Sequence, residues 1–212
     1  MKIELERVLP MDIERRSFEI ITQELGERRL EQENELVIKR VIHTTADFDY
    51  ADSLHFSADA VKRGLEALKA GACIVTDTQM AKAGINKTLL SRLGGEVFCF
   101  MSDEDVAQRA KQNGTTRAVA SMEKAAQLGR PLIFAIGNAP TALMRLYELI
   151  QKNRVDPRLV IGVPVGFVNV VESKELFVHS EIPHIIARGR KGGSNVAAAI
   201  CNALLYQLVN RD

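Results

Sequence analysis

From residue 72 onward, short uninterrupted apolar runs alternate with stretches of helical periodicity. The runs fall at 72–75, 96–101, 131–136, 159–163 and, in weaker form, 184–187. Helical patterns separate or follow them at 103–112, 116–128, 140–152, 168–179 and 194–208. A strand that is apolar at every position has no face for water and must be covered on both sides. Helices between such strands supply the cover, and their crossovers make the strands parallel. The expected architecture is therefore α/β, a mostly parallel sheet with helices on both faces.

The residues before this alternation read as helices. Asp12 is placed to cap the first, Ile13, Phe18, Ile20, Ile21 and Leu25 follow at roughly helical spacing, and Gly26 suits its end. A second pattern opens near Glu33, carries Leu36, Val37 and Val41, and ends near His43. Ser57 is expected to cap a third helix running through Leu68, with Gly71 closing it. No linker, repeat or low-complexity segment divides the 212 residues, so one α/β domain with N-terminal helices is expected over 1–212.

Composition then limits the partners. Hydrophobic residues make up 46% and charged residues 26%, as in a folded globular chain. A net charge of +1 provides no global field for nucleic acid or an anionic membrane, so neither is an expected partner. Anions would have to be held by local clusters. Cys73, Cys99 and Cys201 sit in apolar runs with no CxxC pair, which suggests buried free thiols in a reducing cytoplasm. The opening MKIELERVLPMDIERR has no apolar core of a signal segment, and no apolar run is long enough to cross a bilayer.

Open parallel sheets bind ligands beyond the carboxyl ends of their strands, where loops run into helix starts. Four such segments are TDTQMAKAG (76–84), GNAPTA (137–142), GVPVGFVN (162–169) and RGRKGGSN (188–195). Thr78, Asn138, Gly166, Arg190, Lys191, Gly192 and Gly193 are their candidate ligand contacts. In RGRKGGSN three cations precede two glycines, a composition suited to a carboxylate or phosphate clamp. A solvated strand-to-helix loop explains it about as well. GNAPTA reads first as a turn with a helix-opening proline. GVPVGFVN, apolar and glycine-containing, suits a flat hydrophobic ligand or simply a buried strand end. The GxxxxGK[ST] order is absent and no GxGxxG opens the first strand, which argues against a nucleotide enzyme.

The stretch KRVIHTTADFDY (39–50) is harder to explain by packing. His43 closes an apolar helix face just before two hydroxyls, two carboxylates and a phenol. Such a histidine is more often structural than catalytic, yet imidazole is the side chain whose ordinary pKa suits proton transfer near neutrality. Arg40 lies one helical turn earlier on the same face. The other histidines, His55, His179 and His184, sit where nothing special is asked of them. No HExxH spacing marks a metal site, and no GxSxG elbow offers His43 a serine nucleophile.

Taken together, ERRSFEII, KRVIHTTADFDYADSLHFS, IVTDTQMAKAGI, AIGNAPTAL, GVPVGFVNVVESKE and RGRKGGSNVAAAICNAL resemble the precorrin-8X methylmutase family of cobalamin biosynthesis. The motifs occur in order over nearly the whole chain. The resemblance implies an α/β homodimer that moves a methyl group from C-11 to C-12 of ring C of a corrinoid. It implies His43 as proton donor and acceptor, with Ser17 and Arg40 at substrate-binding positions and Arg117, in TTRAV, at a further one. It also implies that no cofactor or metal is held by the protein, cobalt being carried in the substrate when present. Arg15, Arg16, Arg40, Arg117, Arg188, Arg190 and Lys191 are candidates for a rim that binds the macrocycle's carboxylates.

HTTADFDYADSLHFS looks closer to the cobalt-dependent branch, with cobalt-precorrin-8 as substrate and cobyrinic acid as product. The metal-free branch leading to hydrogenobyrinic acid is the alternative. A non-catalytic corrinoid carrier would share the slot and rim but have no need of His43. Product hand-over to other cobalamin-pathway enzymes is a further route the resemblance leaves open.

Overall fold

The computed structural model describes residues 6–9 and 12–209. The expectation about the N-terminal stretch falls partly on residues 1–5, 10 and 11, outside the described residues. The chain opens with α1 (Ile13–Leu25), α2 (Glu35–Thr45), the short turn α3 (Tyr50–Ser53), β1 (Leu54–Phe56) and α4 (Ala60–Lys69). The alternating part follows as β2 (Cys73–Thr76), α5 (Gln79–Gly84), α6 (Lys87–Arg92), β3 (Val97–Phe98), α7 (Glu104–Gln112) and α8 (Arg117–Ala125). It ends with β4 (Leu132–Ile136), α9 (Pro140–Gln151), β5 (Leu159–Gly162), α10 (Val170–Val178), β6 (His184–Ala187) and α11 (Ser194–Leu205).

Among the described residues six strands form one sheet in the order β1-β6-β5-β4-β2-β3, parallel throughout except that β1 runs antiparallel to β6. The two-residue period of a strand sends alternate side chains to opposite cores. Ile74, Ile133, Leu159, Ile161 and Ile185 enter a core built with α1, α2, α4 and α11. Val75, Phe134, Ile136, Val160 and Ile186 enter the other, built with α7, α8, α9 and α10. The expected two-sided burial is what the chain adopts.

Several details differ from the sequence reading. Ser57 does not cap α4: its hydroxyl accepts the His184 N–H at 2.9 Å, and Asp59 precedes the helix in a left-handed conformation. The hydroxyl thus ties the end of β1 to β6, a tertiary demand that local patterning does not reveal. β1 itself was not expected, because three residues of mixed burial carry no periodic signal. His55 and His184 are also more than bystanders. Their rings stack, and His55 Nδ1 lies 3.1 Å from His184 Nε2, joining the edge strand β1 to its neighbour β6. Burial holds both imidazoles below their ordinary pKa. The three cysteines are free and buried, as expected.

The order of strands reverses between β2 and β4, since the chain runs from β2 out to β3 and then returns to β2's other side. At that crevice Asp77 follows β2 and is buried. Its carboxylate accepts the N–H groups of Gly137 at 2.8 Å, Asn138 at 2.8 Å and Ala139 at 2.6 Å. Burial pushes the Asp77 carboxyl above its ordinary value against the pull of those three donors. Gly137 has no room for a side chain, since a Cβ would come 2.7 Å from the Ser194 Cα. Replacing Asp77 with Ala leaves three amides without an acceptor, and urea unfolding should show a loss of roughly 3 kcal/mol or more with an unchanged slope. A loss too small to resolve would mean that water substitutes freely for the carboxylate.

Candidate active site

The loops beyond the carboxyl ends are fastened to one another. Gly193 donates its N–H to the Val163 carbonyl at 2.9 Å, and Gly166 donates to the Arg190 carbonyl at 3.2 Å. Gly192 has a φ of +156°, and a Cβ there would lie 2.1 Å from the Val163 oxygen, so only glycine fits. Thr78 Oγ1 lies 2.8 Å from Ser194 Oγ and also accepts the Ala81 N–H, capping α5. The ends of β2, β4, β5 and β6 therefore form one continuous rim, with Thr78, Gly166, Gly192 and Gly193 as its fixed points. Asn138 has its N–H held by Asp77 while the residue remains exposed. The Arg190 guanidinium lies 5.4 Å from the Phe167 ring centroid. Phe167 is 80% exposed, and Val165, Val168 and Met80 are exposed along the same rim. Apolar side chains of this size left bare at the carboxyl edge of the sheet form a surface suited to an apolar partner.

His43 reaches this rim through charges. It occupies the last turn of α2 and is exposed. The hydroxyls after it are spent on the helix, Thr44 donating to the Arg40 carbonyl at 2.9 Å and Thr45 to the Val41 carbonyl at 2.8 Å. Ala46 then turns left-handed and ends α2. Beyond it, Lys191 Nζ lies 2.7 Å from Asp47 Oδ2 and 2.6 Å from Asp49 Oδ2. This pairing holds the Asp47 carboxyl below its usual range and raises the Lys191 ammonium. Expected as a free clamp for a ligand anion, Lys191 instead bolts the His43 turn to the glycine loop.

On the other side His43 stacks on Phe18 of α1, with ring centroids 5.7 Å apart. Phe18 also lies under the Arg40 guanidinium, 4.8 Å from its centroid, and Tyr206 flanks the same guanidinium at 5.1 Å. Arg40 pairs with Glu14, while its Nε is buried without a partner among the described residues. A cavity of about 420 Å³ opens here, with Glu14, Phe18, Leu36, Arg40 and Tyr206 in its wall. Ser17, next to Phe18, turns its hydroxyl to the Ile13 carbonyl at 2.9 Å. Arg15 also faces the cavity, whereas Arg16 pairs with Glu6 and Arg188 with Glu175. Arg117 begins α8 in the opposite helical layer and is exposed. Thr116, which caps that helix, lies 3.2 Å from Thr141 in the first turn of α9, so Arg117 belongs to the carboxyl edge but on its far side.

The sequence reading overlooked Lys174, which is fully buried on α10. Its Nζ donates to the Gly189 and Lys191 carbonyls at 2.8 Å each, and burial lowers its pKa to about 8. A periodic signal existed, because Val170, Ser173, Lys174 and Phe177 share one helical stripe in which only Lys174 carries a charge. Among the described residues no group of three or more His, Cys, Asp and Glu could hold a metal ion, and no helix is long and apolar enough to cross a membrane.

Comparisons with known proteins agree on one family. The sequence model of the Precorrin-8X methylmutase family matches residues 12–207. The chain is 50% identical over 205 residues to the Cobalt-precorrin-8 methylmutase of Salmonella typhimurium, covering 94% of this chain and 96% of that one. It is 38% identical to the Precorrin-8X methylmutase of Pseudomonas aeruginosa, covering 91% and 93%. The crystal structure of a precorrin-8x methyl mutase from Thermus thermophilus superposes with a TM-score of 0.86 at 41% identity, covering 92% of this chain and 95% of that one.

Two outcomes follow from this geometry. Lys191→Ala should barely move the urea midpoint, because exposed ion pairs contribute little. It should nevertheless speed amide hydrogen exchange at 44–50 and 189–193; an equal increase across the whole chain would refute the local tie. Lys174 is ionised more weakly in the fold than its ordinary value of 10.5, so its charge opposes folding below about pH 8. As pH rises from about 8 to 10.5 the unfolded chain binds more protons than the native one, and that opposition fades. The stability gap between Lys174→Met and the parent protein should therefore narrow across this window, as read by denaturation at each pH.

Proposed function

The chain belongs to the precorrin-8X methylmutase family, and on that premise we propose that it moves a methyl group from C-11 to C-12 of ring C of cobalt-precorrin-8, forming cobyrinic acid in cobalamin biosynthesis. The observation that carries the residue assignment is the position of His43. Its ring is exposed, stacked on an aromatic that walls the Arg40 cavity, and joined by Lys191 to the glycine loop. Relatives named as Cobalt-precorrin-8 methylmutases match at 50%, 46% and 44% identity, against 41% for the Thermus thermophilus protein and 38% for that of Pseudomonas aeruginosa, both named for precorrin-8X, which supports the cobalt branch.

Substrate and product are isomers. The migrating carbon leaves one ring atom and bonds to its neighbour, so atoms and electrons balance without nucleophile, oxidant or reductant. The reaction calls for no resident cofactor, and cobalt travels inside the substrate. A protein can assist by holding the tautomer from which the shift gains conjugation, which requires placing one proton. His43 does this in our reading, donating to or accepting from the ring atom whose basicity changes.

The macrocycle's carboxylates need cations and amide donors. Arg40, Arg117, Arg190 and the amides of Gly192 and Gly193 serve that need, with Ser17, Thr78 and Asn138 offering hydrogen bonds and Gly166 close backbone approach. A carboxylate entering the cavity would compete with Glu14 for Arg40. Phe167 and Val165 offer apolar contact to the flat ring. A cavity of about 420 Å³ is small for a tetrapyrrole, and with the bare apolar rim this favours a working homodimer in which a second copy completes the enclosure. Three buried free thiols suit a reducing cytoplasm. Product hand-over to a later enzyme would follow from product retention.

The test is anaerobic incubation with cobalt-precorrin-8 and, separately, precorrin-8, following the absorption change as conjugation shifts. The parent protein should convert the cobalt substrate faster. His43→Ala should lower kcat by about 10²–10⁴-fold while product affinity is kept. A parent protein that binds corrinoid without converting it would be a carrier, and an undiminished His43→Ala variant would remove the imidazole from the mechanism.

A further inference from the structure

Lys174 is an expensive residue without an explanation in the reaction. It is fully buried, its ammonium has two carbonyl partners, and no carboxylate pairs with it among the described residues. Burying a charge without a counter-charge is costly, and an apolar side chain of similar volume is commonly neutral or stabilising in such a place. A core that needed only volume on α10 would be served better by Met. The cost must therefore be set against what the ammonium does to its two partners.

Those partners are the carbonyls of Gly189 and Lys191, in the loop between β6 and α11. In a trans peptide the N–H of the next residue points opposite to the carbonyl. Drawing these two carbonyls toward Lys174 turns the N–H groups of Arg190 and Gly192 away from it, to the exposed side of the loop. Neither N–H makes a hydrogen bond among the described residues. The carbonyl between them, that of Arg190, is already taken by the Gly166 N–H. Three successive carbonyls are thus restrained, and alternate amide donors are left available. Such a row of outward N–H groups binds carboxylates.

Resting on the corrinoid reading above, we propose that Lys174 is a positioning residue for substrate recognition: from inside α10 it sets the 189–192 backbone so that the Arg190 and Gly192 N–H groups form a seat for a peripheral carboxylate of the macrocycle. Lys174 does not touch the ligand. It acts through two peptide planes, and the side chain of Lys191 stays with Asp47 and Asp49 while its backbone takes part in the seat.

The experiment uses the full chain carrying Lys174→Met. Three quantities are measured: the unfolding midpoint, kcat and KM with cobalt-precorrin-8, and the Kd for cobyrinic acid by absorption titration. The expected variant folds with a midpoint at or above that of the parent, and its KM and product Kd rise about tenfold while kcat changes less than about threefold. Lys174→Gln, which keeps an uncharged N–H donor group on a shorter side chain, should lie between the two. A folded Lys174→Met protein with unchanged Kd and KM overturns the proposal, as does one whose kcat alone falls. Failure of both variants to fold would also overturn it, showing that Lys174 serves the fold. A parent protein that neither binds nor converts corrinoids would instead refute the reading on which the proposal rests.

Discussion

The Asp77 carboxylate and the three amides it holds fix the geometry on which the site depends. It stands where two neighbouring parallel strands send their chains apart, which leaves the following backbone without a ladder partner. Unpaired amides there would cost as much as lost hydrogen bonds. One buried acid satisfies three of them and so sets the direction of the turn after β4. With that turn in place, Gly137 lets the start of α11 pass at van der Waals distance, and Thr78 meets Ser194. The glycine loop before α11 thus inherits its position from an acid over a hundred residues earlier in the chain.

Electrostatic ties carry the position onward. Lys174 restrains the loop from inside and Lys191 restrains the His43 turn from outside, using consecutive parts of one segment. The two lysines experience opposite environments. One is desolvated and held to a lowered pKa of about 8; the other faces two carboxylates in solvent and is raised. A net charge of +1 conceals this arrangement, because the relevant charges are paired locally. Arg40 shows the same economy, held between two aromatic rings and a glutamate at the wall of the cavity.

What was legible in the sequence follows from range. Continuous apolar runs report burial on both faces, a local property, and five of them became the parallel strands. Helix boundaries near Gly26 and Pro140 were legible because glycine and proline act on their own backbone. Ser57 was misread because its hydroxyl answers an amide on β6, a partner invisible from position 57. β1 is too short to show periodicity. Lys191 was read as a candidate clamp with a free charge, since nothing in RGRKGG points to Asp47 and Asp49. Lys174 was overlooked for the opposite reason. Its stripe was visible, but a lysine within a helical pattern is ordinarily taken as solvent-facing. Motif resemblance assigned roles to His43 and Arg40, which pattern alone placed on one helical face, with a structural reading of the histidine the commoner one.

The proposed reaction places an unusual demand on such a site. Substrate and product carry the same carboxylates around almost the same disc, so contacts at the rim stabilise both alike. Uniform binding lowers KM without raising kcat. Arginines and amide seats therefore cannot account for the rate, however many there are; they fix the orientation in which one proton transfer becomes effective. Acceleration has to arise where the isomers differ, around ring C, and in the proposed function that task falls to His43. The same symmetry makes product leave no more readily than substrate, so release becomes the slow step as the rim improves.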